Sequence, residues 1–160
     1  NWNADMTRTV PVNGKFTPRQ KDVYEAVLRV MWGANDILRP GLTSIEYQKL
    51  VIEIMEKELI GLGLIDAEEA KKQDESKALV KKYFMHGTSH HLGLDVHDVS
   101  PPNAPFGVGQ VFTIEPGIYI REENLGVRIE NDVIIGEEEN IDMFENFPTT
   151  VEEIEAAMAE

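Results

Sequence analysis

The side chains of this sequence that could carry out chemistry fall into two groups, a cluster of imidazoles and a few carboxylates in apolar surroundings. All four histidines lie within residues 86–97. Glu115 lies inside the apolar run VFTIEPGIYI, and Glu130 follows Arg128 by two positions in a second strand-like run. Burying an ionised carboxylate is costly without a counter-charge, which a metal ion can supply. A metal site is therefore one interpretation of the pattern.

The ligand types narrow the choice of metal and of reaction. Carboxylates and imidazoles without sulfur suit Mn, Co, Fe or Zn in a hydrolytic site. Further imidazoles could donate a proton near neutral pH. Arg128 and Glu130 share one strand face, which indicates a charge network. Plainer interpretations stay open: Asp5 as a surface carboxylate, the histidines as loop residues, and Glu130 as an outward-facing strand position.

The composition limits the classes of function. Asp and Glu number 29 against 15 Lys and Arg, and the resulting net charge of −14 argues against nucleic-acid partners and against anionic membranes. Cysteine is absent, which excludes disulfides, thiolate metal sites and a cysteine nucleophile. No run approaches the roughly 18 apolar residues of a membrane span. We expect a cytoplasmic location, since a chain without cysteine fits a reducing compartment.

The order of the helices and strands that must position these residues predicts an α+β fold. Thr17 followed by Pro18 is typical of a helix start, and apolar residues recur at helical spacing to about Leu38. A second helix is predicted to begin at a cap of Thr43 or Ser44 and to end near residues 61–63. Shorter helices are predicted over 66–72 and 75–80, and a last one after Thr149 or Thr150. Strands are predicted over 6–12, 110–120 and 127–135, with turns at 13–14 and 121–126 and a proline- and glycine-rich loop at 100–109.

Four segments of the sequence, taken in order, resemble the pita-bread metallopeptidases. They are residues 5–16 (DMTRTVPVNGKF), 86–98 (HGTSHHLGLDVHD), 112–119 (FTIEPGIY) and 127–132 (VRIEND). Within that family the Xaa-Pro aminopeptidases look most similar, and the likeness runs from Asp5 nearly to Glu160. It implies the pita-bread (creatinase/aminopeptidase-like) fold, in which two related α/β halves curve around the site.

The resemblance also implies a dinuclear metal site with five protein ligands. Four of the five match residues of this chain, namely Asp5, His90, Glu115 and Glu130. Arg128 matches an arginine that steadies the carboxylates. Manganese is the favoured metal, with cobalt or zinc as alternatives.

The implied reaction is hydrolysis of the N-terminal peptide bond of a peptide with proline in second position, by a metal-activated water. Glu115 matches the proposed partner of that water. His86 and His97 match imidazoles that position the scissile peptide and stabilise its transition state.

The sequence also departs from the family. The fifth ligand, an Asp, would lie a short distance ahead of Asn1, and the chain has no initiator methionine. We therefore expect residues 1–160 to be part of a catalytic domain, incomplete at its N-terminal side and without the smaller domain that usually precedes it. Such a chain should bind one divalent ion at best, turn over substrate poorly, and associate with a second copy or with the missing part.

Two alternative functions stay open. A prolidase would cleave Xaa-Pro dipeptides, but the 100–109 loop contains no arginine for the free carboxylate of a dipeptide, which favours the aminopeptidase. A non-catalytic pita-bread module would bind peptides or proteins, but such relatives typically lose metal ligands, and the four matching ligands are present here.

Overall fold

The computed structural model describes residues 1–101 and 103–159, and it has the α+β architecture that the sequence predicts. Its helices are α1 (Pro18–Ile37), α2 (Ser44–Gly61), α3 (Ala67–Ala70), α4 (Ala78–Tyr83) and α5 (Val151–Ala157). Its strands are β1 (Val111–Ile114), β2 (Gly117–Ile120), β3 (Leu125–Arg128), β4 (Asn131–Ile134) and β5 (Ile141–Asp142). Pro102, inside the predicted 100–109 loop, and Glu160 lie outside the described residues.

The two long helices begin at capping boxes and form the base of the core. Thr17 accepts from the Gln20 backbone N–H while the Gln20 side chain accepts from the Thr17 N–H, and Thr43 and Glu46 repeat this arrangement on α2. The helices pack against each other through apolar faces, and α1 also packs against β1, β2, β3 and α5. The buried residues on α1 include Val23, Tyr24, Val27, Val30 and Met31, and those on α2 are Tyr47, Val51, Met55 and Leu59.

The strands form two small antiparallel sheets, ordered β1-β4-β5 and β2-β3. β1 pairs with β4 from Val111↔Ile134 to Ile114↔Asn131, and β2 pairs with β3 from Gly117↔Arg128 to Ile120↔Leu125. The prediction of single strands over 110–120 and 127–135 is therefore wrong in one respect, because each is interrupted in the middle. Pro116 has no N–H to donate to a ladder, and the interruptions of the two strands face each other.

The predicted strand over residues 6–12 is also wrong. Thr7 forms an isolated antiparallel bridge with Glu130, and the described backbone around it is otherwise irregular. The reason is a side chain that replaces the ladder: the Thr9 hydroxyl donates to the Arg128 carbonyl and accepts from the Arg128 N–H. The predicted turn at Asn13–Gly14 is confirmed, with Gly14 in the left-handed region at φ 77°.

Among the shorter elements, the helix predicted over 66–72 is confirmed as α3, which Asp66 caps. The helix predicted over 75–80 lies later, as α4, because Lys77 adopts a left-handed conformation at φ 50° just before it. Thr150 caps α5, one of the two predicted residues. The 121–126 turn contains a 3₁₀ turn at Arg121–Glu123, and β5 was not predicted.

Within the described residues, every helix is too short or too polar to cross a lipid bilayer.

Candidate metal centre

The residues singled out from the sequence converge on one open cleft of about 540 Å³. Its walls come from the opening segment, from the histidine-containing segment and from the two strand interruptions. The cleft is lined by Asp5, His86, Gly87, Ser89, His90, His97, Glu115, Arg128 and Glu130.

Three of the predicted ligands form a compact group in this cleft. Asp5, His90 and Glu130 each offer one ligand atom, and these atoms lie within 4.8 Å of one another. Glu115 lies outside that group but beside it, since its Oε1 is 3.6 Å from His90 Nε2. Asp5 Oδ2 approaches the same nitrogen at 3.7 Å.

The hydrogen bonding of His90 indicates what this space can hold. His90 Nδ1 lies 3.0 Å from the His91 carbonyl oxygen, which can only accept, so Nδ1 carries the proton. In the neutral ring the lone pair on Nε2 then faces two carboxylate groups at distances too long for hydrogen bonds. A divalent cation satisfies the lone pair and the carboxylates together, and the donor set of oxygen and imidazole nitrogen suits Mn²⁺, Co²⁺ or Zn²⁺.

The two glutamates reach the cleft because they lie at the strand interruptions. Glu115 directly follows β1, and its N–H donates to the Thr88 carbonyl at 2.8 Å. Glu130 directly precedes β4, and its backbone exchanges hydrogen bonds with Thr7. In a regular hairpin both backbones would pair across the ladder, so the break in pairing frees Glu130 to pair with the opening segment that carries Asp5.

Thr7 orients the Glu130 carboxylate, and sequence reasoning did not identify it. Its hydroxyl donates to Glu130 Oε2 at 2.6 Å and accepts from Arg128 Nε and Nη2 at 3.3 and 3.2 Å. The Glu130 carboxylate is buried, since the residue is 2% exposed. The Thr7 hydroxyl, which lies between the two charged groups, keeps the positive charge of Arg128 close to this carboxylate. The spacing in the sequence could have indicated this role, because Thr7 follows Asp5 by two positions and residues two apart in an extended segment point to the same side.

Asp132 is a second residue that the sequence reasoning missed. It is 1% exposed, and its Oδ2 accepts from the Asp5 backbone N–H at 3.0 Å, which ties the opening segment to β4. Its Oδ1 has no hydrogen-bond partner among the described residues. The pKa of Asp132 is raised to about 6, mainly by burial and in smaller part by the charges of Asp5 and Glu130, while the hydrogen bond from the Asp5 N–H opposes the increase.

The environment of Glu115 favours its protonated form. The pKa of Glu115 is raised to about 7, mainly by burial and in smaller part by the negative charge of Glu130, while His90 and Arg128 oppose the increase. A carboxyl with this pKa can accept or release a proton near neutral pH. A bound cation would lower this pKa, because its charge would stabilise the ionised carboxylate.

The two histidines expected on the substrate side line the cleft in different ways. His97 packs edge-on against His90, with ring centroids 4.2 Å apart. His86 lies 2.8 Å through Nδ1 from the Gly87 carbonyl and 2.8 Å through Nε2 from the Tyr119 hydroxyl. Both ring nitrogens of His86 are therefore engaged, and Tyr119, which sequence reasoning passed over, would compete with a substrate for Nε2.

Comparison with known proteins bears on this arrangement. The family model described as Metallopeptidase family M24 matches residues 1–137. This chain belongs to metallopeptidase family M24. M24 peptidases are metalloenzymes, so membership implies divalent metal ions at the site.

Named relatives in M24 extend the likeness to nearly the whole chain. Xaa-Pro aminopeptidase of Escherichia coli is 38% identical over 98% of this chain, and Xaa-Pro aminopeptidase 3 of Rattus norvegicus is 37% identical over 95%. The chain spans 38% of the first and 31% of the second. It therefore represents less than two-fifths of either relative.

Solved structures confirm the predicted fold. Zinc-substituted E. coli aminopeptidase P in complex with product matches at a TM-score of 0.84, with 36% identity over 99% of this chain and 38% of the other. Pseudomonas aeruginosa aminopeptidase PepP matches at 0.85, with 35% identity and the same coverage. The chain has the pita-bread fold of these peptidases, as part of a longer chain in each of them.

Proposed function

We propose that this chain carries most of the catalytic centre of a metal-dependent aminopeptidase that removes the N-terminal residue from peptides with proline in second position. The observation that carries the proposal is the convergence of Asp5, His90 and Glu130 within 4.8 Å, with Glu115 beside His90. The names of the M24 relatives support the choice of an Xaa-Pro substrate.

In this proposal Asp5, His90, Glu115 and Glu130 hold the metal. Divalent ions at such a site lower the pKa of water and stabilise negative charge on a carbonyl oxygen. The carboxylates of this group gather around a single imidazole nitrogen, which supports one ion held by these four residues, with Mn²⁺ first and Co²⁺ or Zn²⁺ as alternatives.

The remaining residues of the cleft handle the substrate and its protons. Glu115 accepts a proton from the attacking water on its carboxylate and passes that proton to the nitrogen of the leaving amine. His97, beside His90, donates a hydrogen bond to the developing oxyanion. His86 positions the scissile peptide once its Nε2 has released the Tyr119 hydroxyl and formed a hydrogen bond with the peptide instead. The open, acidic cleft favours the free ammonium group of a peptide N-terminus.

The test combines metal binding with cleavage. Calorimetric titration of the metal-free chain with Mn²⁺ should give at most one ion per chain, and His90→Ala should abolish binding. Release of the first residue from an Xaa-Pro-Xaa tripeptide should be slow, dependent on Mn²⁺, and lost in Glu115→Gln. A tripeptide with alanine in second position should be cleaved more slowly still.

Other results would contradict the proposal in distinct ways. Two tightly bound ions with rapid turnover would contradict the single-ion centre. Faster cleavage of an Xaa-Pro dipeptide than of the tripeptide would favour the prolidase. Tripeptide binding without metal and without cleavage would favour the non-catalytic module.

A further inference from the structure

In the described residues, the segment between α4 and β1 that carries His86 and His90 contains neither a helix nor a strand, and the isolated bridge beside His90 joins His91 to Phe112. It is held to the sheet at one side, where His90 and Thr113 exchange backbone and hydroxyl hydrogen bonds and Thr88 accepts from Glu115 N–H. A segment of this kind needs a contact on its other side as well if its imidazoles are to keep one orientation.

Helix α2 supplies that contact through one side chain. Gln48 Oε1 accepts from the Thr88 backbone N–H at 2.9 Å. The neighbouring contact, from Ser89 Oγ to the Tyr47 hydroxyl at 3.5 Å, is too long to add much. Gln48 lies on α2, outside the residues that line the cleft.

The position of Thr88 makes this bond hard to replace. Thr88 is fully buried, and its hydroxyl has no partner among the described residues. A buried N–H that loses its acceptor cannot turn to water, so the backbone must move to satisfy it. Any such movement is transmitted to Glu115, whose N–H depends on the carbonyl of the same residue.

We propose that Gln48 is a positioning residue of the metal centre. From α2 it fixes the backbone of Thr88. Through Thr88 it holds both the segment that carries His86 and His90 and the backbone of Glu115 in place. The effect on metal binding rests on the proposed function, whereas the hydrogen bond from Thr88 to Gln48 does not depend on it. Gln48 is not among the residues that line the cleft, and it acts through the backbone of Thr88.

Amide hydrogen exchange of the metal-free chain, followed residue by residue by NMR, tests the geometric part. Gln48→Met keeps the length of the side chain and removes the acceptor, and it should speed exchange at Thr88 and at Glu115 by at least about tenfold. Gln48→Glu keeps an acceptor at the same length and should restore protection at both amides. Lys49→Met, at the next and exposed position of α2, is the matched control and should change neither amide.

Mn²⁺ affinity, measured well below the unfolding temperature of every variant, tests the functional part. Gln48→Met should weaken binding about tenfold, and Gln48→Glu should recover most of the loss. The proposal would be overturned if the Glu115 amide of Gln48→Met exchanged at the wild-type rate. It would also be overturned if Lys49→Met changed amide exchange or Mn²⁺ affinity as much as Gln48→Met does. Loosened amides with unchanged Mn²⁺ affinity would overturn it as well. If the wild-type chain bound no metal, the proposed function would fail, and the exchange result would still decide whether Gln48 holds the segment.

Discussion

At the scale of single residues, the centre depends on a few short hydrogen bonds to buried carboxylates. Thr7 is the clearest case, because one hydroxyl serves both Glu130 and Arg128. Burial makes the charges of these carboxylates costly, and repulsion between the carboxylates adds to that cost. Residues that orient them should therefore affect metal affinity as strongly as stability.

Replacing Thr7 by valine tests this idea, since valine has the same shape without the hydroxyl. Glu130 Oε2 would lose its 2.6 Å donor, and we expect the free energy of unfolding to fall by about 1–3 kcal/mol. Mn²⁺ affinity should fall by about tenfold in calorimetric titration. Thr7→Ser retains the hydroxyl and serves as the control. Wild-type affinity in Thr7→Val would mean that Glu130 is oriented by its backbone alone.

Glu115 should make the stability of the metal-free protein depend on pH. Its pKa is about 7 in the folded protein against an ordinary value of 4.5, so between these values the folded state binds more protons than the unfolded state. The free energy of unfolding therefore falls as pH rises through this window, and the contribution is fully present only below about pH 4.5. Asp132 acts in the same direction between 3.8 and about 6.

Denaturation with urea in the presence of EDTA, across that pH range, measures the effect. Glu115→Gln has no proton to lose, so its stability should decline less steeply than that of the wild type. The difference between the two proteins isolates Glu115 from the other carboxyls. Parallel curves would mean that Glu115 is solvated and titrates as it does in the unfolded chain.

At the scale of elements, the site is built from irregular pieces on a regular base. The two long helices are fixed by local caps, and none of the residues that line the cleft lies on α1. The ligands instead lie on the opening segment, on the histidine segment and at the strand interruptions. The stability that α1 provides and the geometry of the site should therefore be separable.

Thr17→Ala separates them by removing the capping box of α1. We expect a loss of about 1 kcal/mol of stability and a fall of about 2–4 °C in the unfolding midpoint of a domain of this size. Mn²⁺ affinity at room temperature should stay at the wild-type value. Thr17→Ser retains the cap and should behave as wild type in both measurements. A loss of affinity in Thr17→Ala would show that α1 also governs the site.

At the scale of the whole molecule, the net charge of −14 opposes the compact state. Repulsion between exposed charges is screened over about 10 Å at 0.1 M salt. The unfolding temperature of the metal-free protein should therefore rise with sodium chloride. Replacing the exposed Glu137, Glu138 and Glu139 by glutamine should reduce that rise. A midpoint independent of salt would mean that the existing ion pairs already balance the repulsion.

Much of the fold could be predicted from the sequence because its signals are local. Thr17 before Pro18 and Thr150 before an acidic turn satisfy backbone groups within a few residues of themselves, so the helix starts are encoded nearby. The strand bounds were not predictable in the same way. At the interruption, Glu130 pairs with Thr7 from the other end of the chain, and no local signal near Glu130 indicates that partner.

The sequence by itself determined the chemistry available to this protein: carboxylates and imidazoles without thiols, an acidic surface, and capped helices, in an order that resembles one family. The tertiary structure alone decided that Asp5, His90 and Glu130 meet around one point, that Asp132 and Thr7 hold them there, and that Gln48 reaches Thr88 from a helix. The physical reason is that these contacts join segments far apart in the chain. Their energies depend on packing and on shared burial, and neither is encoded in the spacing of neighbouring residues.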